Sequence, residues 1–209
     1  VKELSRKMAK PTKGSWEKLK RLARYLLGRE RMITKYKYQQ WTGCINVWTD
    51  TDYAGCKETR RSTSGGIIQC GSHIVKSWST TQNLVTLSSG ESEYYGLVKG
   101  GAMALGSRGL IVDMGMKHRI RIRTDASAAK GIALRRGMGK VRHVEVSQLW
   151  LQEKVGRGEI EVIKIDGEDN IADALTKSVN GQKLEKHVRD TEQGVNQGRH
   201  KLSPVVEHR

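Results

Sequence analysis

Apolar residues recur along the chain with two periods, and each period predicts a different element. From Ser15 to about Leu27, Trp16, Leu19, Ala23 and Leu26 share one stripe of a helix, with Ser15 placed to cap it and Gly28 to end it. Lys18, Lys20, Arg21 and Arg24 ride the other faces. The expectation is an amphipathic helix packed on a neighbour, with a basic face that can also meet a phosphate backbone. From Cys44 to Thr49 the period falls to two: Ile45 and Val47 point one way and Trp48 the other, which predicts a strand running into Asp50. Ile67–Cys70 and Ile74–Trp78 read as two more short strands, and the Gly71-Ser72 pair between them suits a tight antiparallel hairpin.

Residues 89–114 read as a long helix with Leu97, Val98, Ala102 and Leu105 inward. Gly96, Gly100, Gly101, Gly106 and Gly109 interrupt it, each costing up to ~1 kcal/mol against Ala, and close approach to a sheet or a second helix would justify them. Arg119–Thr124 alternates again, with Ile120 and Ile122 on the buried face, and also ends on an acid, Asp125. Residues 127–135 and 144–155 read as helices and 159–165 as a strand, and Asn170 stands to cap a last helix through about Lys177. Three strands, a helix, a strand, helices, a strand and a helix make an α/β fold, a mixed sheet with helices packed on it. The stretch 179–209 is polar and weakly periodic and is expected to be a tail without regular structure.

A chain of 209 residues can hold one packed domain of roughly 100–200 residues with extensions. It starts at Val1 with no secretory leader pattern, which reads as a piece of a longer polypeptide. No run approaches the ~20 apolar residues of a membrane-spanning helix, so no membrane partner is expected. The net charge is +16, and its placement tells more than its size: residues 1–40 carry 13 basic and 3 acidic side chains, whereas residues 41–176 carry 18 and 15. A basic arm ahead of a nearly neutral body favours a polyanionic partner, since each Lys or Arg at a phosphate releases counterions. Cys44, Cys56 and Cys70 are odd in number and form no Cys-x-x-Cys pair. That argues for a reducing intracellular compartment, against structural zinc, and for buried structural thiols.

Asp50 and Asp125 each follow a strand. If those strands are parallel neighbours, the two carboxylates lie side by side at the carboxyl end of the sheet, where open sheets place ligands. Adjacent carboxylates repel unless a proton or cation compensates, which makes such a pair a natural divalent-metal site. Helix geometry leaves Glu91 and Glu93 both open as further ligands, and the choice between Asp50 and Asp52 stays open in the same way. Asp173, in the first turn of the last helix, reads equally well as a ligand or as an acid complementing the helix dipole.

Six segments in order, WTDTDYAG, RRSTSGG, LSSGESEYYGL, IRTDASAAKGIAL, KVRHVEV and GEIEVIKIDGEDNIADALTK, resemble the ribonuclease H domain of copia-type retrotransposons over about residues 44–178. The arm, PTKGSWEKLKRLARYLLGRE, resembles the end of the reverse transcriptase region that precedes that domain in the polyprotein, although no polymerase active-site motif is present. The resemblance implies a ribonuclease H-like sheet of three antiparallel strands followed by parallel ones. It assigns Asp50, Glu93, Asp125 and Asp173 as catalytic and metal-binding acids that hold two Mg²⁺ ions, or Mn²⁺, ~4 Å apart. The implied reaction is hydrolysis of the RNA strand of an RNA–DNA hybrid, with the reverse transcriptase region of the same polyprotein as partner. Ser88, Ser89 and Ser127, beside these acids, are candidate readers of the ribose 2′-hydroxyl, and Arg60 and Arg61 are candidate phosphate grips.

The chain departs from the family in one respect: the loop Asp166–Asn170 lacks the His that many ribonucleases H carry there. His143 and His118, the nearest alternatives, read as satisfied structural histidines. Two other readings remain at this stage. One is an integrase-type strand transferase, since Asp125 and Glu161 have 35 residues between them, although Glu161 lies in a strand pattern where such an enzyme needs a helix. The other is a non-catalytic nucleic-acid-binding remnant of a retroelement.

Overall fold

The computed structural model describes residues 2–139, 141, 143–198 and 200–203. Of the expected motifs, Lys140 and Arg142 of KVRHVEV and the tail residues 199 and 204–209 lie outside the described residues. In chain order the elements are α1 (Lys2–Arg6), α2 (Lys13–Leu27), β1 (Arg31–Thr34), β2 (Cys44–Asp52), β3 (Thr63–Cys70), β4 (His73–Thr81), α3 (Ser89–Asp113) and β5 (Arg119–Thr124). There follow α4 (Ser127–Leu134), α5 (Trp150–Gly156), β6 (Ile160–Lys164), α6 (Asp173–Thr176), α7 (Gly181–Asp190) and β7 (Gln193–Asn196).

The chain divides into two compact units. The smaller contains residues 1–35 and 193–209, where β1 and β7 pair antiparallel from Arg31↔Asn196 to Thr34↔Gln193. Helix α2 is capped by Thr12, whose hydroxyl accepts from the Ser15 N–H, three residues ahead of the expected cap. It buries none of its residues, and Trp16, Leu19 and Leu26 are exposed, so the expected packed stripe is uncovered.

The larger unit, residues 36–192, is a mixed α/β fold around a five-stranded sheet of order β4-β3-β2-β5-β6. β3 pairs antiparallel with both β2 and β4, while β5 pairs parallel with both β2 and β6. Alternation fixes which face is buried: Ile45, Val47, Ile120 and Ile122 point into a core shared with Tyr94, Leu97 and Leu151. Trp48 points to the opposite face, where its Nε1 donates to Gln69 Oε1 at 2.8 Å and its ring lies under the Arg123 guanidinium. The Gly71-Ser72 turn closes the β3–β4 hairpin, with Gly71 at φ +63° as the tight turn requires.

Helix α3 crosses the sheet at the distance its glycines set. A Cβ on Gly96 would lie 2.7 Å from Thr51 Oγ1, and one on Gly100 would lie 2.8 Å from Thr49 Cγ2. Gly106 and Gly109 face open space, and the inward stripe runs through Leu97, Gly101 and Ala104 while Ala102 is exposed. Gly100→Ala should therefore destabilise the protein by about 1–3 kcal/mol through overpacking. Gly106→Ala should stabilise it by up to about 1 kcal/mol through helix propensity. Urea unfolding of the two variants checks the opposed signs, and equal shifts would refute the close-approach argument.

Two expected helices are shorter than their patterns suggested. In 144–155, Val146–Gln148 forms a 3-10 turn and only Trp150–Gly156 is α-helical, consistent with the weak helix formers Val144, Val146 and Ser147. Asn170 does not cap a long helix. It is buried, its Nδ2 donates to the Thr49 carbonyl of β2 at 2.9 Å and its Oδ1 accepts from the Ala172 N–H, leaving α6 only four residues. The segment after Ser178, expected to lack regular structure, instead carries α7, capped by Asn180 through the Lys183 N–H, and β7. With only Leu184 and Val188 as half-buried apolar residues in α7, its periodicity is hard to see in the sequence. Cys44, Cys56 and Cys70 form no disulfide and are half-buried rather than buried as expected, and burial pushes the Cys44 and Cys70 thiols up from their ordinary values. Among the described residues no helix is long and apolar enough to cross a membrane.

Candidate active site

The parallel pairing of β2 with β5 decides where two of the acids meet. The register runs from Cys44↔Arg119 to Trp48↔Arg123, and two residues further it sets Asp50 opposite Asp125. Helix α3 starts beneath this end of the sheet and brings Glu93 in from its second turn. Asp50, Glu93 and Asp125 each offer an oxygen within 4.8 Å of the others. The two ties left by the sequence are resolved by hydrogen bonding. Glu91 is 2% exposed and turned away, its Oε2 accepting from the Leu87 N–H at 2.8 Å and paired with His143 Nε2 at 2.7 Å. Glu93 faces the cluster, with Oε1 accepting from the Thr51 N–H. Asp52 folds against Gly55 in the following loop, whereas Asp50 is 0% exposed.

Asp173 joins this group through a lysine. Lys177 Nζ lies 3.0 Å from Asp50 Oδ1 and 3.1 Å from Asp173 Oδ1, and Lys183 Nζ lies 2.7 Å from Asp173 Oδ2. The Thr176 hydroxyl donates to Asp50 Oδ2. Asn170 Nδ2 reaches toward Asp125 Oδ1 at 3.5 Å while holding β2 through Thr49. Gly167 leaves space beside the same carboxylate, since a Cβ there would sit 3.2 Å from Asp125 Oδ2. Asn170, Thr176, Lys177 and Lys183 were not singled out from the sequence as site residues. Lys177, one helical turn after Asp173, was open to detection as an i,i+4 pair, but nothing local points Lys183 at the site.

The electrostatics follow from crowding negative charge in a poorly solvated place. Burial, reinforced by Asp50 and Asp125, pushes Glu93 up to about 8 against the small relief from Lys177 and the Thr51 N–H. Burial also raises Asp50, although Thr176 and Lys177 oppose it. Asp173 is buried too, yet hydrogen bonds from Lys183 and Lys177 outweigh that and hold it below the usual carboxylate range. Lys177 is raised, because Asp50 outweighs its burial. Glu93 Oε2 is buried and has no hydrogen-bond partner among the described residues. Three hard oxygen donors, one of them orphaned, make the triad compatible with a divalent cation.

Ser88 caps α3 by accepting from the Glu91 N–H. Ser89 and Ser127 are exposed in the first turns of α3 and α4, which abut, since a Cβ on Gly90 would fall 2.8 Å from Ala128 Cβ. Both serines thus stand on one rim near Asp125. Arg60 and Arg61 are exposed on the loop between β2 and β3, with Arg60 at φ +56° and its N–H bonded to the Cys56 carbonyl. His143 is engaged by Glu91, as a structural histidine would be; both ring nitrogens of His118, expected to be satisfied, are buried without a partner among the described residues. Glu161 of β6 pairs with Arg121 at 2.8 Å on the exposed sheet surface, outside the acidic cluster.

Three antiparallel strands followed by two parallel ones, with helices packed on the sheet, make the mixed α/β fold expected from the sequence. Over most of its length the chain is similar to retrovirus-related Pol polyproteins of plant transposons. It is 26% identical over 185 residues to the Pol polyprotein from transposon TNT 1-94 of Nicotiana tabacum, covering 87% of this chain and 14% of that protein. It is 28% identical over 180 residues to the polyprotein from transposon RE2 of Arabidopsis thaliana, covering 85% and 12%. The chain thus spans 12–14% of the length of these relatives. Among solved structures, LC11-RNase H1, isolated from compost by a metagenomic approach, aligns with a TM-score of 0.46 at 17% identity, covering 70% of this chain and 99% of that one. No family model matches the chain.

Proposed function

We propose that this chain carries the ribonuclease H activity of a copia-type retrotransposon polyprotein: a metal-dependent endonuclease that hydrolyses the RNA strand of RNA–DNA hybrids during reverse transcription, inside the cell. The observation that carries this reading is the convergence of Asp50, Glu93 and Asp125 within 4.8 Å at the carboxyl end of two parallel strands. The similarity to transposon Pol polyproteins supports it.

In this reading Asp50, Glu93 and Asp125 hold one divalent ion, and Asp50 with Asp173 a second, Mg²⁺ or Mn²⁺. Bound ions supply the positive charge that acidifies a water and neutralises the scissile phosphate. The protein's part is placement. β2 and β5 fix two carboxylates in register, α3 delivers the third, and Asn170 ties the loop before Asp173 to β2. Ser89 and Ser127, exposed in the first turns of α3 and α4, would read the 2′-hydroxyls that distinguish RNA from DNA. Ser88, whose hydroxyl already caps α3, is the weaker reader, and Arg60 and Arg61 are free on their exposed loop to grip phosphate. The domain from about 44 to 178 would hold the chemistry, and the basic arm would belong to the reverse transcriptase region. An integrase-type reading gains nothing, because Glu161 lies in strand β6, outside the cluster of Asp50, Glu93 and Asp125.

The test is incubation with Mg²⁺ and a hybrid labelled on the RNA strand, beside a hybrid labelled on DNA. Cleavage of RNA alone is expected. Intact RNA at every metal concentration, with tight salt-sensitive binding retained, would instead identify a non-catalytic nucleic-acid-binding remnant.

A further inference from the structure

The two sides of the acidic cluster are not equivalent. On the Glu93 side, among the described residues, one oxygen of Glu93 has no partner and Asp125 receives only the 3.5 Å approach of Asn170. On the Asp173 side every carboxylate oxygen is taken. Lys177 Nζ joins Asp50 Oδ1 to Asp173 Oδ1 at 3.0 and 3.1 Å, Thr176 holds Asp50 Oδ2, and Lys183 holds Asp173 Oδ2 at 2.7 Å. An ammonium between two carboxylates does there what a second metal ion would do: it offers positive charge to both oxygens at hydrogen-bond distance.

The local chain is built to put it there. Lys177 ends α6 four residues after Asp173, and its own N–H bonds the Asp173 carbonyl, so helix geometry aims its side chain back at that acid. Its side chain is 44% exposed while Asp50 is 0% exposed, so the ammonium reaches the buried carboxylate from the solvent side and can leave the same way. Lys183 arrives from α7, an independent element, and its remaining neighbour Glu168 is 3.8 Å away.

We propose that Lys177 is a built-in cation that closes the Asp50–Asp173 side of the site, so that the free protein takes a single divalent ion at Asp50, Glu93 and Asp125 and admits a second only when this lysine is displaced. The proposal rests on the metal-dependent reading above and adds to it a positioning role for Lys177. The lysine governs how many ions the site holds before substrate arrives.

Mn²⁺ titration of the full chain without nucleic acid, followed by calorimetry and electron paramagnetic resonance, tests this without measuring activity. The parent is expected to bind one ion with an uncoupled Mn²⁺ spectrum. Lys177→Gln is expected to bind two, with a second-ion dissociation constant at least tenfold tighter than any seen in the parent and a spin-coupled signal. Lys177→Arg, which keeps the charge, should stay at one ion. Retention of the first ion by Lys177→Gln reports that its site is still folded. Two ions in the parent would overturn the proposal with no variant needed, and one ion in a folded Lys177→Gln would overturn it while leaving the metal site intact. No ion in either protein would remove the metal site itself, and this proposal with it.

Discussion

Asp50→Asn is expected to lower RNA-strand cleavage by at least about a thousandfold in the hybrid assay, because Asp50 is the one acid common to both sides of the cluster. Its Oδ1 meets Lys177, its Oδ2 meets Thr176, and it lies within 4.8 Å of an oxygen of Glu93 and of Asp125. The amide keeps the shape and can still bond Thr176 or Lys177 through its oxygen, but it removes the charge that would draw a divalent ion. The fold should survive, since Lys177 is half exposed and keeps Asp173, which circular dichroism will check. Asp173→Asn should fall in the same assay, by a smaller factor, because Glu93, Asp50 and Asp125 remain. Cleavage by Asp50→Asn within tenfold of the parent would mean that this cluster does not perform the chemistry.

Metal-free protein should lose stability as pH rises from about 4.5 to about 8, and Glu93→Gln should remove most of that loss. In the fold Glu93 is pushed up to about 8 from an ordinary value of 4.5, by burial first and by Asp50 and Asp125 next. The folded state therefore holds a proton that the unfolded chain has already released. Stability is greatest below the unfolded value and falls until the folded group ionises; the raised Asp50 adds to the loss in the same direction. Asp173, held low, works the other way: its contribution is present above the ordinary carboxylate range and disappears as pH falls through its depressed value. Each pKa unit is worth about 1.36 kcal/mol, and with relaxation of the site we expect a gain of about 2 kcal/mol for Glu93→Gln at pH 8. For a chain of this size that is a rise in Tm of roughly 4–8 °C. Added Mg²⁺ should stabilise the parent at pH 8 and leave Glu93→Gln nearly unmoved. Equal pH slopes in the two proteins would show that Glu93 is ordinarily solvated.

The strands that reach the site were legible wherever burial alternates. Ile45, Val47, Ile120 and Ile122 announce β2 and β5 because the side-chain period of a strand is two and one face is dry. The first half of β3 was hidden, since Thr63, Ser64, Gly65 and Gly66 have no apolar signal. They are accommodated by close approach: a Cβ on Gly65 would lie 2.9 Å from Leu175 Cβ, and one on Gly66 would meet the Trp78 ring. Helix α7 was hidden for a related reason, having too few apolar residues to display a period. Motif resemblance singled out Glu93, which lies with Asp50 and Asp125, but the residues alone left it level with Glu91. That tie needed the Leu87 N–H and His143 to claim Glu91.

By itself the sequence determined that β2, β4, β5 and β6 are strands and α3 a helix, the buried faces of β2 and β5, and acids standing at the ends of those two strands, because each depends on neighbours along the chain. Only the tertiary structure decided that β2 and β5 lie parallel in a register that sets Asp50 against Asp125, that Glu93 rather than Glu91 turns inward, and that Lys177 and Lys183 close on Asp173. Strand order and helix docking are set by packing between segments tens of residues apart, and no local period carries that information.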